Sequence, residues 1–169
     1  MSGLAIRLAT EADLPAIRAI YNHYVHTSTC TYQLEPETEA ERLDWFWSRT
    51  DRHPVTVAEL AGEVVGWAAL SIWNKRAAYA RTVEASVYIR ADRHRRGVGR
   101  ALLADLLERA KALGHRAVIG GASADQTASL ALQEALGFAP VGTFRQVGYK
   151  FGRWLDVTYL QFVLSNNDH

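Results

Sequence analysis

Hydrophobic and polar residues change their spacing along this chain, and the changes mark boundaries between strands and helices. From residue 82 to 89 they alternate with period two, which predicts a strand with two different faces. After residue 99 apolar residues recur at helical spacing up to Gly114, which stands where a left-handed C-terminal cap is expected. Shorter apolar runs bounded by turn residues predict strands at 6–8, 55–60, 64–72, 117–119, 141–147 and 155–164.

Polar residues at fixed positions predict where the other helices begin. Asp13 is placed to cap a first helix that carries Pro15 in its first turn. Thr38 and Glu41 form a capping box for a second helix, and a short helix over 129–136 ends at a glycine. The order of these elements predicts an α/β fold whose front half is antiparallel, with a hairpin joining the strands at 55–60 and 64–72.

The connection after the strand at 82–89 is rich in arginine and glycine. Residues 94–99 read His-Arg-Arg-Gly-Val-Gly, and the glycines allow a close backbone approach to a ligand at the start of a helix. Free amides and the helix dipole favour an anion there, so we predict a pyrophosphate-binding loop. The Rossmann and Walker fingerprints both fail, because no third glycine follows at the right place and no Gly-Lys-Ser/Thr is present. An ordinary connection with a solvated basic run is the alternative.

Composition favours one compact domain over residues 1–169. The chain is 49% hydrophobic and its net charge is +1, which predicts neither a nucleic-acid partner nor an anionic membrane. Cys30 is the only cysteine, so an internal disulfide is impossible and a reduced, cytoplasmic setting is expected. No run of eighteen apolar residues occurs, and residues 165–169 read as a frayed tail. His23 and His26 share a helix face without a third ligand at metal spacing, so no metal site is predicted.

The loop and several other segments resemble one enzyme family. His94–Gly99 is similar to the acyl-CoA loop of the GNAT acetyltransferases, (Gln/Arg)-x-x-Gly-x-(Gly/Ala), with His94 in the Gln/Arg place. Landmarks of the phosphinothricin N-acetyltransferase branch follow one another in the right order: IRLATEADLPAIRAIYNHYV, STCTYQLEPET, TVEASVYI, LGF and RQVGYKFGRWLDVTYLQ. The resemblance implies the GNAT fold, a mixed sheet of about seven strands splayed in the middle, with helices on both faces and acetyl-CoA in the gap. It also implies a homodimer that acetylates the α-amino group of phosphinothricin, methionine sulfoximine or methionine sulfone.

The same resemblance implies which residues contact acetyl-CoA. The strand backbone would bind the pantetheine arm and offer an amide to the developing oxyanion, the loop would bind the pyrophosphate, and two residues at a helix start would hydrogen-bond to the cofactor. In that order these residues are Val87, Tyr88 and Ile89; His94, Arg95, Arg96, Gly97, Val98, Gly99 and Arg100; and Gln126 and Ser129.

Amide formation needs a base, because an ammonium cannot attack a thioester. Glu84 lies on the strand that enters the loop, where partial desolvation would raise the pKa of its carboxyl group. A solvent-facing or salt-bridged carboxylate is the alternative. The match of TVEASVY to the branch's TVExSVY favours Glu84 as the base, acting directly or through a water.

Other positions bear on the leaving group and on specificity. The branch has a histidine where this chain has Gln133, which cannot exchange a proton, so CoA leaves as a thiolate or Tyr88 or a water serves as the acid. Arg76 and Tyr79 resemble an Arg-x-x-Tyr pair that faces the substrate, and Tyr32 resembles a pocket aromatic; a surface arginine and a core aromatic are the alternatives. Asn74 replaces a lysine found in some members, which leaves the acceptor open.

Two further readings follow from these departures and from the C-terminal signature. Gln133 and Gln126 motivate the alternative of a non-catalytic sensor of acetyl-CoA or of an amino acid. Residues 148–156 suggest a turn that shapes the pocket or a dimer contact, and a solvated or interface position is expected for Lys150 and Arg153.

Overall fold

The computed structural model describes residues 3–165, so residues 166–169 of the predicted tail lie outside the described residues. Its strands form one seven-stranded sheet in the order β1-β2-β3-β4-β5-β7-β6. The strands are β1 (Leu4–Leu8), β2 (Val55–Leu60), β3 (Glu63–Ile72), β4 (Thr82–Ile89), β5 (Ala117–Ser123), β6 (Ala139–Lys150) and β7 (Arg153–Val163). The helices are α1 (Leu14–Thr27), α2 (Glu39–Trp47), α3 (Val98–Ala112) and α4 (Thr127–Ala135).

The front half of the sheet is antiparallel, as its pattern predicts. β1 pairs with β2, β2 with β3 and β3 with β4, all antiparallel.

β5 and β6 are both longer than their apolar runs indicate. β5 continues to Ser123 because β7 pairs with it as far as Val157, although Gly120 and Gly121 give no strand signal.

The two central strands of the sheet separate part of the way along. β4 and β5 run parallel and pair only from Thr82 opposite Ala117 to Ala85 opposite Gly120. Beyond that point β4 stays paired with β3, and β5 stays paired with β7. The sheet is therefore splayed in the middle, and the gap opens on the side that leads to the basic loop.

Helices cover both faces of the sheet. The alternation of β3 sends Ala68 and Leu70 into a core with α3, and it sends Trp67 and Ala69 into a second core with α1. The capping box of Thr38 with Glu41 starts α2, as predicted.

The predicted side-chain cap of α1 is wrong. The Asp13 carboxylate does not hydrogen-bond into α1. It accepts from both terminal nitrogens of Arg7, at 2.7 and 2.8 Å, and from the Thr10 backbone N–H at 2.8 Å. A charged guanidinium outcompetes backbone amides for this carboxylate, because a charge-assisted pair is the stronger interaction.

α2 places a buried arginine under the front half of the sheet. Arg42 is 2% exposed, forms an ion pair with Glu37, and stacks over the rings of Trp45 and Trp67. Trp67 in turn stacks on Tyr88 of β4, with ring centroids 4.9 Å apart. The aromatic cluster holds β4 from the face opposite α3.

Candidate active site

A cavity of about 270 Å³ lies where β4 and β5 separate. Its walls come from β4, from the segment after α1, from the end of β5, from α4 and from β7. The residues that line it include Thr29, Cys30, Thr31, Tyr32, Glu84, Val87, Tyr88, Ser123, Gln126, Ser129, Gln133 and Tyr159. The cavity thus brings together Glu84, Tyr32 and part of the predicted cofactor set.

Glu84 is half-buried in the wall of this cavity. Within residues 3–165 its carboxylate has no ion-pair partner, so the salt-bridged alternative does not describe it. Burial raises the pKa of Glu84 above its ordinary value. The nearby Glu84 charge also contributes, after burial, to a raised pKa of Tyr159. A carboxylate in this state holds a proton more readily at working pH, which is the property a general base needs.

The backbone of β4 beyond Ala85 presents free groups to the gap. Arg90 N–H donates to the Val65 carbonyl oxygen of β3 at 2.9 Å. Because backbone groups of alternate strand residues point the same way, the N–H groups of Val87 and Ile89 point away from β3, toward the gap. They are the amides available there to a cofactor or an oxyanion.

The basic loop has the backbone shape that its glycines predict. Gly97 is the N-cap of α3 and has φ of +77°, in the left-handed region, and Arg95 has φ of 58°. The first-turn amides of α3, those of Val98, Gly99 and Arg100, have no acceptor within the helix. Val98 is buried in the core, 1% exposed, whereas Gly99 is half-buried and Arg100 is exposed.

His94 is held by the protein and does not project freely from the loop. Its Nε2 lies 2.5 Å from the Tyr24 hydroxyl and 3.3 Å from the Ile89 carbonyl oxygen. The Tyr24 hydroxyl also contacts the Ile89 carbonyl oxygen. The ring that stands in the Gln/Arg place of the signature therefore ties the loop to α1.

Gln126 and Gln133 make contacts inside the protein. Gln126 donates from Nε2 to Thr29 Oγ1 at 2.8 Å, which joins the start of α4 to the segment after α1. Gln133 is 7% exposed and donates weakly to Ser129 Oγ at 3.5 Å. A Cβ at Gly120 would lie 1.7 Å from Gln133 Oε1, so this glycine makes the space that Gln133 fills. Neither side chain supplies an exchangeable proton.

Tyr88 is poorly suited to protonate a leaving group. Burial raises the pKa of its hydroxyl far above the usual range, and a side-chain hydrogen bond with Thr31 only partly opposes that rise. A phenol that holds its proton so firmly is a weak acid toward a thiolate.

The predicted acceptor residues separate into two groups. The Tyr32 hydroxyl lies 2.9 Å from Ser123 Oγ and 3.0 Å from the Asp156 carbonyl oxygen, and its ring lines the cavity. Arg76 and Tyr79 lie on the connection from β3 to β4, where Tyr79 is 41% exposed. They are not among the residues that line the Glu84 cavity of this chain.

Sequence reasoning missed one charged residue beside the cavity. The expectation of a solvated or interface position for Lys150 is wrong, because this side chain is 4% exposed and bonds to the segment after α1. Arg153 is exposed and pairs with Asp125 at 2.6 Å. The available signal was the spacing of Gly148 and Lys150, which places both on one face of a strand.

The described residues contain neither a cluster of metal ligands nor a helix suited to crossing a membrane. Within residues 3–165 no group of three or more His, Cys, Asp or Glu side chains is arranged to hold a metal ion. Over the same residues no helix has both the length and the apolar character that crossing a membrane requires.

Three features together are those of a transferase that uses an acyl-CoA donor. They are the splayed mixed sheet, the glycine-shaped loop at the start of a helix, and the half-buried carboxylate in the gap. Residues 17–138 match the model of the acetyltransferase (GNAT) family. The chain belongs to the GNAT family, and it is an N-acetyltransferase whose co-substrate is acetyl-CoA. The alternative of a non-catalytic sensor is therefore wrong for this chain.

Individual relatives agree with this assignment. The chain is 42% identical over 163 residues to an L-methionine sulfoximine/L-methionine sulfone acetyltransferase of Pseudomonas aeruginosa, with 95% of each chain covered. It is 41% identical over 156 residues to a phosphinothricin N-acetyltransferase of Streptomyces viridochromogenes, with 92% of this chain and 85% of the relative covered. The fold superposes with a TM-score of 0.94, at 35% identity, on an acetyltransferase of Salmonella typhimurium solved with its cofactor acetyl-CoA, covering 99% of this chain and 98% of that one.

Proposed function

We propose that this chain transfers the acetyl group of acetyl-CoA to the α-amino group of a small amino acid analogue, of the methionine sulfoximine, methionine sulfone or phosphinothricin type. The observation that carries the proposal is the Glu84 carboxylate, which is half-buried in the cavity where β4 and β5 separate and has no ion-pair partner among residues 3–165. The printed activities of the relatives supply the acceptor class.

The residues present fit the co-substrate. The first-turn amides of α3 and the left-handed Gly97 form an anion site for the pyrophosphate, with Arg95, Arg96 and Arg100 exposed around it. The Val87 and Ile89 N–H groups point into the gap, where one can bind the pantetheine arm and one can receive the oxyanion. Acetyl-CoA supplies the activated acetyl group, and this chain orients it.

Glu84 acts as the base in this proposal. It removes the proton that the acceptor's ammonium group must lose, directly or through a water, and the free amine attacks the thioester in a ternary complex. With Gln133 unable to donate a proton and Tyr88 a weak acid, CoA leaves as a thiolate, and water protonates it afterwards.

A screen of acceptors tests this function. Purified protein with acetyl-CoA should release thiol with methionine sulfoximine, methionine sulfone or phosphinothricin faster than with the common amino acids. Mass spectrometry of the product should show the acetyl group on the α-amine. Absence of release with all three analogues would overturn the proposed acceptor class and leave the family assignment intact.

We also propose a homodimer, with the outer edge of the sheet as its interface. β6 is an edge strand of the described sheet. Apolar side chains exposed by more than half lie on it, on the turn to β7 and at the start of β7: Val141, Phe144, Val147, Tyr149, Phe151 and Trp154. Sedimentation equilibrium at micromolar protein should give twice the mass of the chain, and Phe144→Glu should shift it toward the single-chain mass. A single-chain mass for the unaltered protein would contradict the dimer.

Two further expectations, on acceptor contacts and on cellular location, stay predictions. Contact of Arg76 and Tyr79 with the acceptor remains a prediction, because both residues lie outside the cavity of one chain. The cytoplasmic location remains a prediction that rests on the single cysteine.

A further inference from the structure

Lys150, the last residue of β6, is a buried lysine whose ammonium group is bound by backbone carbonyl groups. It is 4% exposed, and its Nζ donates to the carbonyl oxygens of Ser28 and Thr31, each at 2.8 Å. The ring centroid of Phe151 lies 5.0 Å from Nζ. Within residues 3–165 no Asp or Glu pairs with it, and burial lowers its pKa. Because a buried charge without a counter-ion is costly, the two carbonyl groups that bind this ammonium are what stabilises it there.

The two carbonyl groups that Lys150 binds bracket a wall of the cavity. Ser28 follows the last residue of α1, so the ammonium also lies at the negative end of that helix's dipole. Thr29 and Cys30, between the two bonded carbonyls, line the cavity, as do Thr31 and Tyr32. We call residues 28–32 the acceptor wall, because Thr29 to Tyr32 line the same cavity as Glu84.

Gly148 supports the same wall from two residues earlier on β6. A Cβ at this position would lie 2.5 Å from Cε2 of the Tyr32 ring, so the ring packs against bare backbone. Residues 148 and 150 point to one face of the strand, whereas Tyr149 between them is exposed. One strand face therefore receives the Tyr32 ring and binds the carbonyl groups of the wall.

The far side of the acceptor wall is fixed to α4. Thr29 Oγ1 donates to Asp125 Oδ1 at 2.7 Å and accepts from Gln126 Nε2 at 2.8 Å. None of these contacts involves the loop at 94–100. The wall and the pyrophosphate loop are both connected to Tyr24 of α1, whose carbonyl oxygen accepts from the Ser28 N–H and whose hydroxyl contacts His94. The contacts made by Lys150, Gly148 and Thr29 act on the wall and do not touch the loop.

We propose that Lys150 is a positioning residue that holds the acceptor wall against Glu84, and that together with Gly148 it determines which acceptors fit the cavity. This inference rests on the proposed function for its substrate class. Moving the wall changes the space beside Glu84 and leaves the cofactor loop in place, so the effect falls on the acceptor and spares acetyl-CoA.

The test compares Lys150→Met with Lys111→Met, which removes the same charge from an exposed site on α3. With the best acceptor of the screen, Lys150→Met should raise the acceptor KM about tenfold or more and change the acetyl-CoA KM less than about twofold. Lys111→Met should leave both constants unchanged. Lys150→Arg keeps the charge and donors, and it should regain part of the loss.

A second readout does not depend on acetyl transfer. Cys30, the only thiol, sits half-buried in the acceptor wall, and burial raises its pKa. Loss of the Lys150 charge by itself raises the pKa of this thiol further and slows alkylation, so a several-fold increase in alkylation of Lys150→Met by iodoacetamide, measured by intact mass, reports that the wall has moved. Gly148→Ala keeps the charge and should show the same increase. A change in alkylation without turnover of any analogue would separate failure of the proposed function from failure of this inference.

If Lys150→Met does not fold, Gly148→Ala tests the same wall. The added methyl group displaces the Tyr32 ring while Lys150 stays, and the acceptor KM should again rise alone. An unchanged acceptor KM with unchanged alkylation would overturn the proposal, and so would a parallel rise of both KM values.

Discussion

Replacement of Glu84 by Gln is expected to lower kcat by about 10²–10⁴-fold, the range typical of a lost general base. The amide keeps the shape of the side chain but cannot accept the ammonium proton. Thiol release measured at saturating acetyl-CoA and acceptor checks the expectation. Calorimetry should show acetyl-CoA binding nearly unchanged, because the proposed role of the carboxylate is toward the acceptor amine and the pyrophosphate is expected at the loop before α3.

The pH dependence of kcat/KM is an independent test of Glu84 as the base. Base catalysis needs the ionised carboxylate, so kcat/KM should fall as pH is lowered through the pKa of Glu84. Since burial raises that pKa above the ordinary 4.5, the fall should begin closer to neutrality than for an exposed glutamate. Glu108→Gln, at an exposed position of α3, serves as the control and should keep full activity. Turnover of Glu84→Gln at the unaltered rate would exclude Glu84 as the base.

Replacement of Gly97 by Val is expected to weaken acetyl-CoA binding about tenfold or more. Gly97 has φ of +77°, and a β-branched residue there is strained and projects its side chain from the turn that precedes α3. The first-turn amides would then move away from a bound pyrophosphate. Calorimetric titration with CoA measures the effect without turnover.

Gly114→Val is the matched control for that substitution. Gly114 ends the same helix with φ of +76°, and a Cβ there meets no atom within 4 Å. Both variants therefore carry similar backbone strain at opposite ends of α3, and thermal unfolding should show similar losses. Equal CoA affinity in the two variants would remove the loop from the binding site.

The strongest local patterns in the sequence correctly predict the central strand, loop and helix of the fold. The period-two run of β4, the glycine loop and the helical spacing of α3 are local patterns, and the structure has them at the predicted residues. β5 was predicted only to residue 119, because its continuation through Gly120 depends on β7, which lies forty residues further on. Long-range partners of this kind leave no local pattern.

The partners of charged and polar side chains are also not predictable from local sequence. Asp13 reads as a helix cap, yet Arg7, six positions earlier, takes its carboxylate. Lys150 is expected at a solvated or interface position, and it is buried because backbone carbonyl groups of a distant segment bind its ammonium group. His94 reads as a ligand of the cofactor, and Tyr24 of α1 holds its ring. Which partner a polar side chain finds is decided by tertiary packing.

The separation of β4 from β5 creates a sheet edge inside the molecule. Unpaired strand edges on a protein surface invite a strand from another chain and so promote aggregation. Here residues of α4 and of the segment after α1 line the cavity beside this edge and cover it from solvent on those sides. A slender, amide-bearing chain such as pantetheine can still enter and complete the ladder. The fold thus keeps a reactive edge for its co-substrate and shields that edge from other proteins.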